Sequence, residues 1–136
     1  DNIRALCRIP AAAGPVPVAE MPVYQHTPLF LSETAPLIGG RLPSAEECAR
    51  GIRIANRRGH TFTVLSRDRL WVTVADEPYC LADRLPELRA AGLSRFRIDL
   101  SWSPETSDAE RTVRNVMSGK LPQSHVLRGN LDRGLA

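Results

Sequence analysis

Few residues in this chain have the type and placement to do chemistry. His26 lies in Gln25-His26-Thr27-Pro28, between the apolar segments Val23-Tyr24 and Leu29-Phe30-Leu31. An imidazole there can bind substrate or a metal, although a histidine beside a proline turn also serves simply to cap the loop. Asp99 closes an alternating run from Arg95 to Leu100. The carboxyl end of a strand in a βα unit is where barrel enzymes place catalytic groups, and a solvated strand-end carboxylate is the plainer reading. The third group is cationic: Arg50, Arg53, Arg57, Arg58, Arg67 and Arg69 crowd into residues 48–69, with Asp68 as the only acid. That density suits the phosphate backbone of RNA. It also suits a solvated face, and the interleaved aromatics of a single-strand binder are nearly absent. No HExxH, no GxSxG and no nucleophile, base and orienting group at recognisable spacing occur, so no hydrolytic mechanism can be read from the residues.

The scaffold that must hold these groups is a folded globule, because 43% of the 136 residues are hydrophobic and 24% charged. One domain, residues 1–136, is expected. No run approaches the roughly 18 apolar residues of a membrane span, and no leader pattern opens the chain, so a cytoplasmic protein with no membrane partner is expected. The first residue is Asp1, and Asp1-Asn2-Ile3-Arg4-Ala5-Leu6 reads as the middle of a helix begun earlier. A missing N-terminal region of a parent protein is therefore the expected first partner. The net charge is +3 and Lys120 is the only lysine. Arginine favours bidentate contacts to phosphate and carboxylate, though high-GC codon usage yields the same bias. Cys7, Cys48 and Cys80 form no even disulfide framework and no CxxC pair, which makes reduced thiols the default.

Residues 1–20 read as a helix end and a Pro/Ala-rich connector, which leads into an extended, edge-accessible segment from Met21 to Leu31. Pro36, Gly39, Gly40 and Pro43 mark a loop. Ser44-Ala45-Glu46-Glu47 is a capping-box pattern that starts a short helix through Cys48. Thr61–Leu65 and Leu70–Val74 predict a β-hairpin with Ser66-Arg67-Asp68-Arg69 as its turn and Gly59 before it. Leu81, Leu85 and Leu88 make one helical face, ended by Gly92. Phe96, Ile98 and Leu100 share one face of a strand. Ser103 as N-cap and Pro104 at the first helical position then predict a helix, with Ala109, Val113, Val116 and Met117 as its buried stripe and Gly119 at its end. The fold class expected is α/β or α+β: a β-hairpin followed by a helix-strand-helix unit.

Residues 21–136 resemble the collagenase-like peptidases, family thirty-two of the peptidases of unknown mechanism. Tyr24 to Phe30 is similar to a Tyr/His-Gln-His-x-Pro-Leu/Met-Phe segment of that family, and Glu33-Thr34-Ala35 to its Glu-x-Cys step. Cys48-Ala49-Arg50-Gly51-Ile52 followed by Asn56-Arg57-Arg58-Gly59 resembles a second block, Cys-x-x-x-Cys, a basic-polar strand, an Asp/Asn-Arg-x-Gly turn and a hairpin. Tyr79-Cys80-Leu81, Leu85-Pro86-Glu87-Leu88, Ala91-Gly92 and Phe96-Arg97-Ile98-Asp99 give the most specific match, and Arg128 to Leu135 resembles an Arg-Gly-Leu ending. The resemblance implies the C-terminal portion of a larger barrel-type protein, a peptidase or an RNA-modifying enzyme, with His26, Glu33 and Asp99 as candidate catalytic residues. It also implies an iron-sulfur cluster on four cysteines in some relatives. Here Cys48 and Cys80 remain while Ala35 and Ile52 stand at the other two ligand positions, so an incomplete metal site and no bound cofactor are expected. The competing reading is a non-catalytic domain that binds RNA or protein through the arginine-rich hairpin.

Overall fold

The computed structural model describes residues 18–104, 108–123 and 125–128. In chain order the elements are β1 (Glu20–Gln25), β2 (Pro28–Ser32), α1 (Ala45–Arg50), β3 (Ile52–Ala55), β4 (Thr61–Arg67), β5 (Leu70–Ala75), β6 (Tyr79–Cys80), a 3-10 turn (Ala82–Arg84), α2 (Leu85–Ala90), β7 (Arg95–Asp99) and α3 (Ala109–Met117). The architecture is α+β with two sheets, and no closed barrel forms among the described residues. The helix expected at Asp1–Leu6, the thiol of Cys7 and the ending after Arg128 lie outside them. Two compact units emerge, one from the residues through Gln25 together with those from Tyr79 onward, the other from His26 to Pro78.

In the first unit β1 is the central strand, antiparallel to β6 and parallel to β7. Pro22 cannot donate to a ladder, and the register slips between Pro22 and Tyr24. Beyond the slip Tyr24 faces Ile98 and Gln25 faces Asp99. The core holds Val23, Tyr24, Cys80, Leu81, Leu85, Leu88, Leu93 and Val116, with Phe96, Ile98 and Leu100 packed against it. Leu81, Leu85 and Leu88 are all buried, as their spacing predicts. The α-helix itself begins only at Leu85, with Pro86 in its first turn where a missing N–H is harmless. Gly92, at φ 104°, closes α2 with both bonds of a Schellman motif, Leu93 N–H to Leu88 O at 3.1 Å and Gly92 N–H to Arg89 O at 2.9 Å.

The last helix departs from expectation at its start and on its buried face. Asp108, not Ser103, is the N-cap: its carboxylate accepts the Arg111 N–H at 2.9 Å. Aspartate caps as well as serine, so the later cap prevails and shortens the helix. Of the expected stripe only Val116 is buried; Ala109, Val113 and Met117 are exposed. The nine-residue helix buries Val116, and the rest of the stripe stays exposed.

The second unit is an antiparallel sheet in the order β2-β5-β4-β3. The single extended segment expected from Met21 to Leu31 is two strands in two different sheets. Pro28 opens β2 at the sheet edge, where its missing N–H costs no ladder bond. The β4–β5 hairpin forms as expected with a tighter turn, because Ser66 and Arg67 extend β4 and Arg67 pairs with Leu70. Asp68 takes the left-handed φ of 54° that this two-residue loop requires, a conformation aspartate tolerates. The Ser44 capping box is complete: Ser44 Oγ accepts the Glu47 N–H at 3.2 Å and Glu47 Oε2 accepts the Ser44 N–H at 2.8 Å. Gly51 then turns the chain at φ 78°. A Cβ there would come within 2.8 Å of Leu65 Cδ2 and 3.0 Å of Thr63 Cγ2, so glycine is needed for both space and backbone. Strand β3, Ile52-Arg53-Ile54-Ala55, lies between the Cys48 helix and the Asn56 turn, where the second resembled block implies a basic-polar strand.

Candidate functional site

The six arginines do not make one patch. In the β3-β4-β5 meander, the Asn56–Gly59 turn carries Arg57 and Arg58 before β4, and Arg67 and Arg69 lie at its far end. Seven residues of strand separate the two ends by about 20 Å. Arg50, two residues before Ile52, joins the Arg67 end because Ile52 pairs with Val64. Asn56 shapes the other turn, its Oδ1 accepting the N–H groups of Arg58 and His60 at 2.9 and 3.1 Å.

Acids already engage part of the group. Arg53 Nε lies 2.8 Å from Asp76 Oδ2, while Thr63 Oγ1 donates to Asp76 Oδ1 at 2.6 Å. Arg50 pairs with Glu46 at 2.8 Å one helical turn back, both side chains largely exposed. Arg57, Arg58 and Arg69 are exposed and have no ion pair among the described residues. Two separate cationic tips therefore replace the single arginine hairpin.

His26 is a buried histidine, 6% exposed, whose Nδ1 lies 3.1 Å from the Ala75 carbonyl oxygen. Thr27 O accepts the Ala75 N–H at 3.0 Å next to it. Both contacts tie the entrance of β2 to the end of β5, which gives this imidazole a structural task. Glu33 is exposed in the loop after β2. Asp99 belongs to the other unit, at the carboxyl end of β7 and level with Gln25 of β1. Its Oδ1 accepts the Ser101 N–H at 3.0 Å, and that bond holds the carboxyl below its usual range. A stabilised, half-exposed carboxylate is a good hydrogen-bond acceptor and a poor proton donor.

The thiols do not fit a cluster. Cys48 is half-buried on α1 of the second unit, and Cys80 is fully buried in the core of the first, where burial pushes its thiol up and disfavours the thiolate a metal needs. Ile52 is a core residue of β3 facing Val64, and Ala35 lies in a loop. Among the described residues no three His, Cys, Asp or Glu side chains come together. The donor set is thus wrong in chemistry as well as in number.

The first unit also contains a cleft of about 340 Å³ that the sequence did not reveal. Tyr24 and Val116 line it with Arg111, Asn115, Lys120 and Gln123. Its residues come from β1, α3 and the loop after it, three segments no local pattern connects. Burial raises the Tyr24 phenol above its usual range. Lys120 stands just past the α3 C-terminus, where a cation complements the helix dipole.

No family model, no curated protein and no solved structure matches the chain. No described helix is long and apolar enough to cross a membrane.

Proposed function

We propose that the chain is the C-terminal part of a collagenase-like peptidase family protein concerned with RNA modification, and that its own task is to hold RNA. The observation that carries this reading is the pair of cationic tips on the second unit, Arg57 and Arg58 at one end of β4 and Arg69 at the other, exposed and without ion pairs among the described residues. A small phosphorylated ligand does not bridge about 20 Å of strand, whereas a nucleic-acid backbone presents phosphates over that span.

Support for the larger enzyme comes from the first unit. β1 and β7 are neighbouring parallel strands whose carboxyl ends set Gln25 beside Asp99, the place where parallel α/β folds bind ligands. The outer edge of β7 carries no strand among the described residues, and the exposed Ala109, Val113 and Met117 stripe of α3 is what a further helix would cover. Peptide hydrolysis is the weaker reading, since the His26 imidazole is buried and held by the Ala75 carbonyl.

Fluorescence anisotropy of a labelled structured RNA tests the proposal. Binding that weakens with salt and is lost in Arg57→Glu/Arg58→Glu/Arg69→Glu is expected; no binding, or equal binding by the triple variant, overturns it.

A further inference from the structure

Helix α3 ends in a reversal that builds the cleft of the first unit. Gly119, at φ 77°, and Lys120 close the helix with a Schellman motif: the Lys120 N–H donates to Asn115 O at 2.9 Å and the Gly119 N–H to Val116 O at 3.0 Å. The chain then turns back, so that Leu121, Pro122 and Gln123 line the same space as Thr112 and Asn115 of the helix, with the buried Tyr24 of β1. Its volume of about 340 Å³ lies within the range of small-molecule sites.

The polar side chains of this cleft are unengaged. The Thr112 hydroxyl, the Asn115 and Gln123 amides and the Lys120 ammonium make no hydrogen bond or ion pair among the described residues, and Thr112 and Asn115 are half-buried. Polar groups withdrawn from water ordinarily have partners. Nor is Lys120 needed to cap the helix, because the carbonyls of Arg114, Asn115 and Val116 already accept backbone N–H groups. Arg111 Nε is 3.9 Å from Asp108 Oδ2, a loose contact to a carboxylate that already caps the helix through the Arg111 N–H. No Asp or Glu lines the cleft. A concave, acid-free surface with two cations favours an anion.

Size and lining narrow the anion. The helix rises about 9 Å from residue 111 to residue 117, and Lys120 lies beyond, so the two cations stand at opposite ends. Inorganic phosphate reaches only one of them and leaves the amides and the apolar Val116, Leu121 and Pro122 unused. A phosphate joined to a flat heterocycle uses them all. Lys120 takes the phosphate, the Asn115 and Gln123 amides each offer a donor and an acceptor to a base edge, and the Arg111 guanidinium and the apolar side chains suit the faces of a ring. From this complementarity we infer that the cleft is a nucleotide site, which takes one nucleoside monophosphate unit, either free or as part of an RNA strand. The inference stands on residues of the first unit and does not rest on Arg57, Arg58 or Arg69.

Calorimetric titration of the full chain with the monophosphates of adenosine, guanosine, cytidine and uridine tests it. Saturable binding of at least one below about 1 mM is expected, with the matching nucleoside and inorganic phosphate each weaker by about tenfold or more. Lys120→Ala should weaken that binding about tenfold and Asn115→Ala about fivefold, with unchanged circular dichroism spectra. The variant Arg57→Glu/Arg58→Glu/Arg69→Glu should bind the monophosphate as wild type does. Light-driven crosslinking of an azido-substituted monophosphate, mapped by peptide mass spectrometry, should label residues 111–123 or Tyr24 and so locates the site without a mutation. A short single-stranded RNA added to the triple variant separates the two sources: binding that the monophosphate displaces assigns the cleft to a nucleotide of RNA, and no RNA binding beside intact monophosphate binding assigns it to the free nucleotide. Absence of saturable monophosphate binding, binding indifferent to both Lys120→Ala and Asn115→Ala, binding lost in the triple variant, or a crosslink elsewhere overturns the proposal.

Discussion

His26 Nδ1 lies 3.1 Å from the carbonyl oxygen of Ala75, a residue 49 positions further along the chain. The carbonyl is an acceptor only, so the bonded imidazole carries its proton on Nδ1. Ala75 is itself buried, and removing the ring leaves a cavity and a buried acceptor short of its donor. His26→Ala should therefore destabilise the second unit by about 1–3 kcal/mol, read as a shift in the urea midpoint of Trp71 fluorescence. RNA affinity, corrected for the folded fraction, should not change. Loss of binding without loss of stability would make His26 a ligand-binding residue.

The Glu47 carboxyl gives α1 a pH signature. Its bonds to the Arg41 guanidinium, at 2.6 and 2.8 Å, and to the Ser44 N–H hold it down to about 2, from an ordinary value of 4.5. The unfolded chain binds the proton more readily, so stability rises with pH across that interval. The contribution is complete above 4.5 and is lost as pH falls through 2. Thermal unfolding of wild type and Glu47→Gln from pH 2 to pH 7 should show a gap that closes toward the acid end. Ser44→Ala removes the other half of the box and should cost about 1 kcal/mol.

What was legible in the sequence was local. The Ser44 box, the β4–β5 hairpin, the Leu81, Leu85 and Leu88 face and the alternation from Phe96 to Leu100 depend on neighbours within a few residues, and each is present. What was hidden depends on distant partners. The chain passes from one sheet to the other at His26-Thr27, a change no periodicity encodes, because Val23-Tyr24 and Leu29-Phe30-Leu31 look equally strand-like. The arginines were close in sequence and far apart in space for the same reason. A meander sends consecutive turns to opposite ends of a strand, and Asp76, outside the counted window, neutralises Arg53. Only a small part of the candidate site could be read in advance.

The α3 stripe distinguishes burial from pattern. Val116 is 1% exposed and Val113 38%, although both belong to the same apolar stripe. Val116→Ala should destabilise the first unit by about 1–2 kcal/mol, while Val113→Ala should stay within about 0.5 kcal/mol. Urea unfolding followed by Trp102 fluorescence measures both. Equal costs would mean that Val113 is covered in solution, as it would be against a further helix of a larger parent.

The cationic tips predict a salt dependence that separates them from the other arginines. Each phosphate contact releases condensed counterions, and the logarithm of the binding constant falls linearly with the logarithm of salt. Arg57→Ala and Arg58→Ala should each flatten that slope by roughly 0.7–0.9 and weaken binding alike for unrelated RNA sequences. Arg69→Ala should act the same way from the far end of β4, and its effect should add to theirs because about 20 Å separates the sites. Arg53→Ala should leave the slope almost unchanged, since its guanidinium is held by Asp76 and the loss falls on stability. A slope that responds to Arg53 as strongly as to Arg57 would place the RNA on the sheet face and not at its two ends.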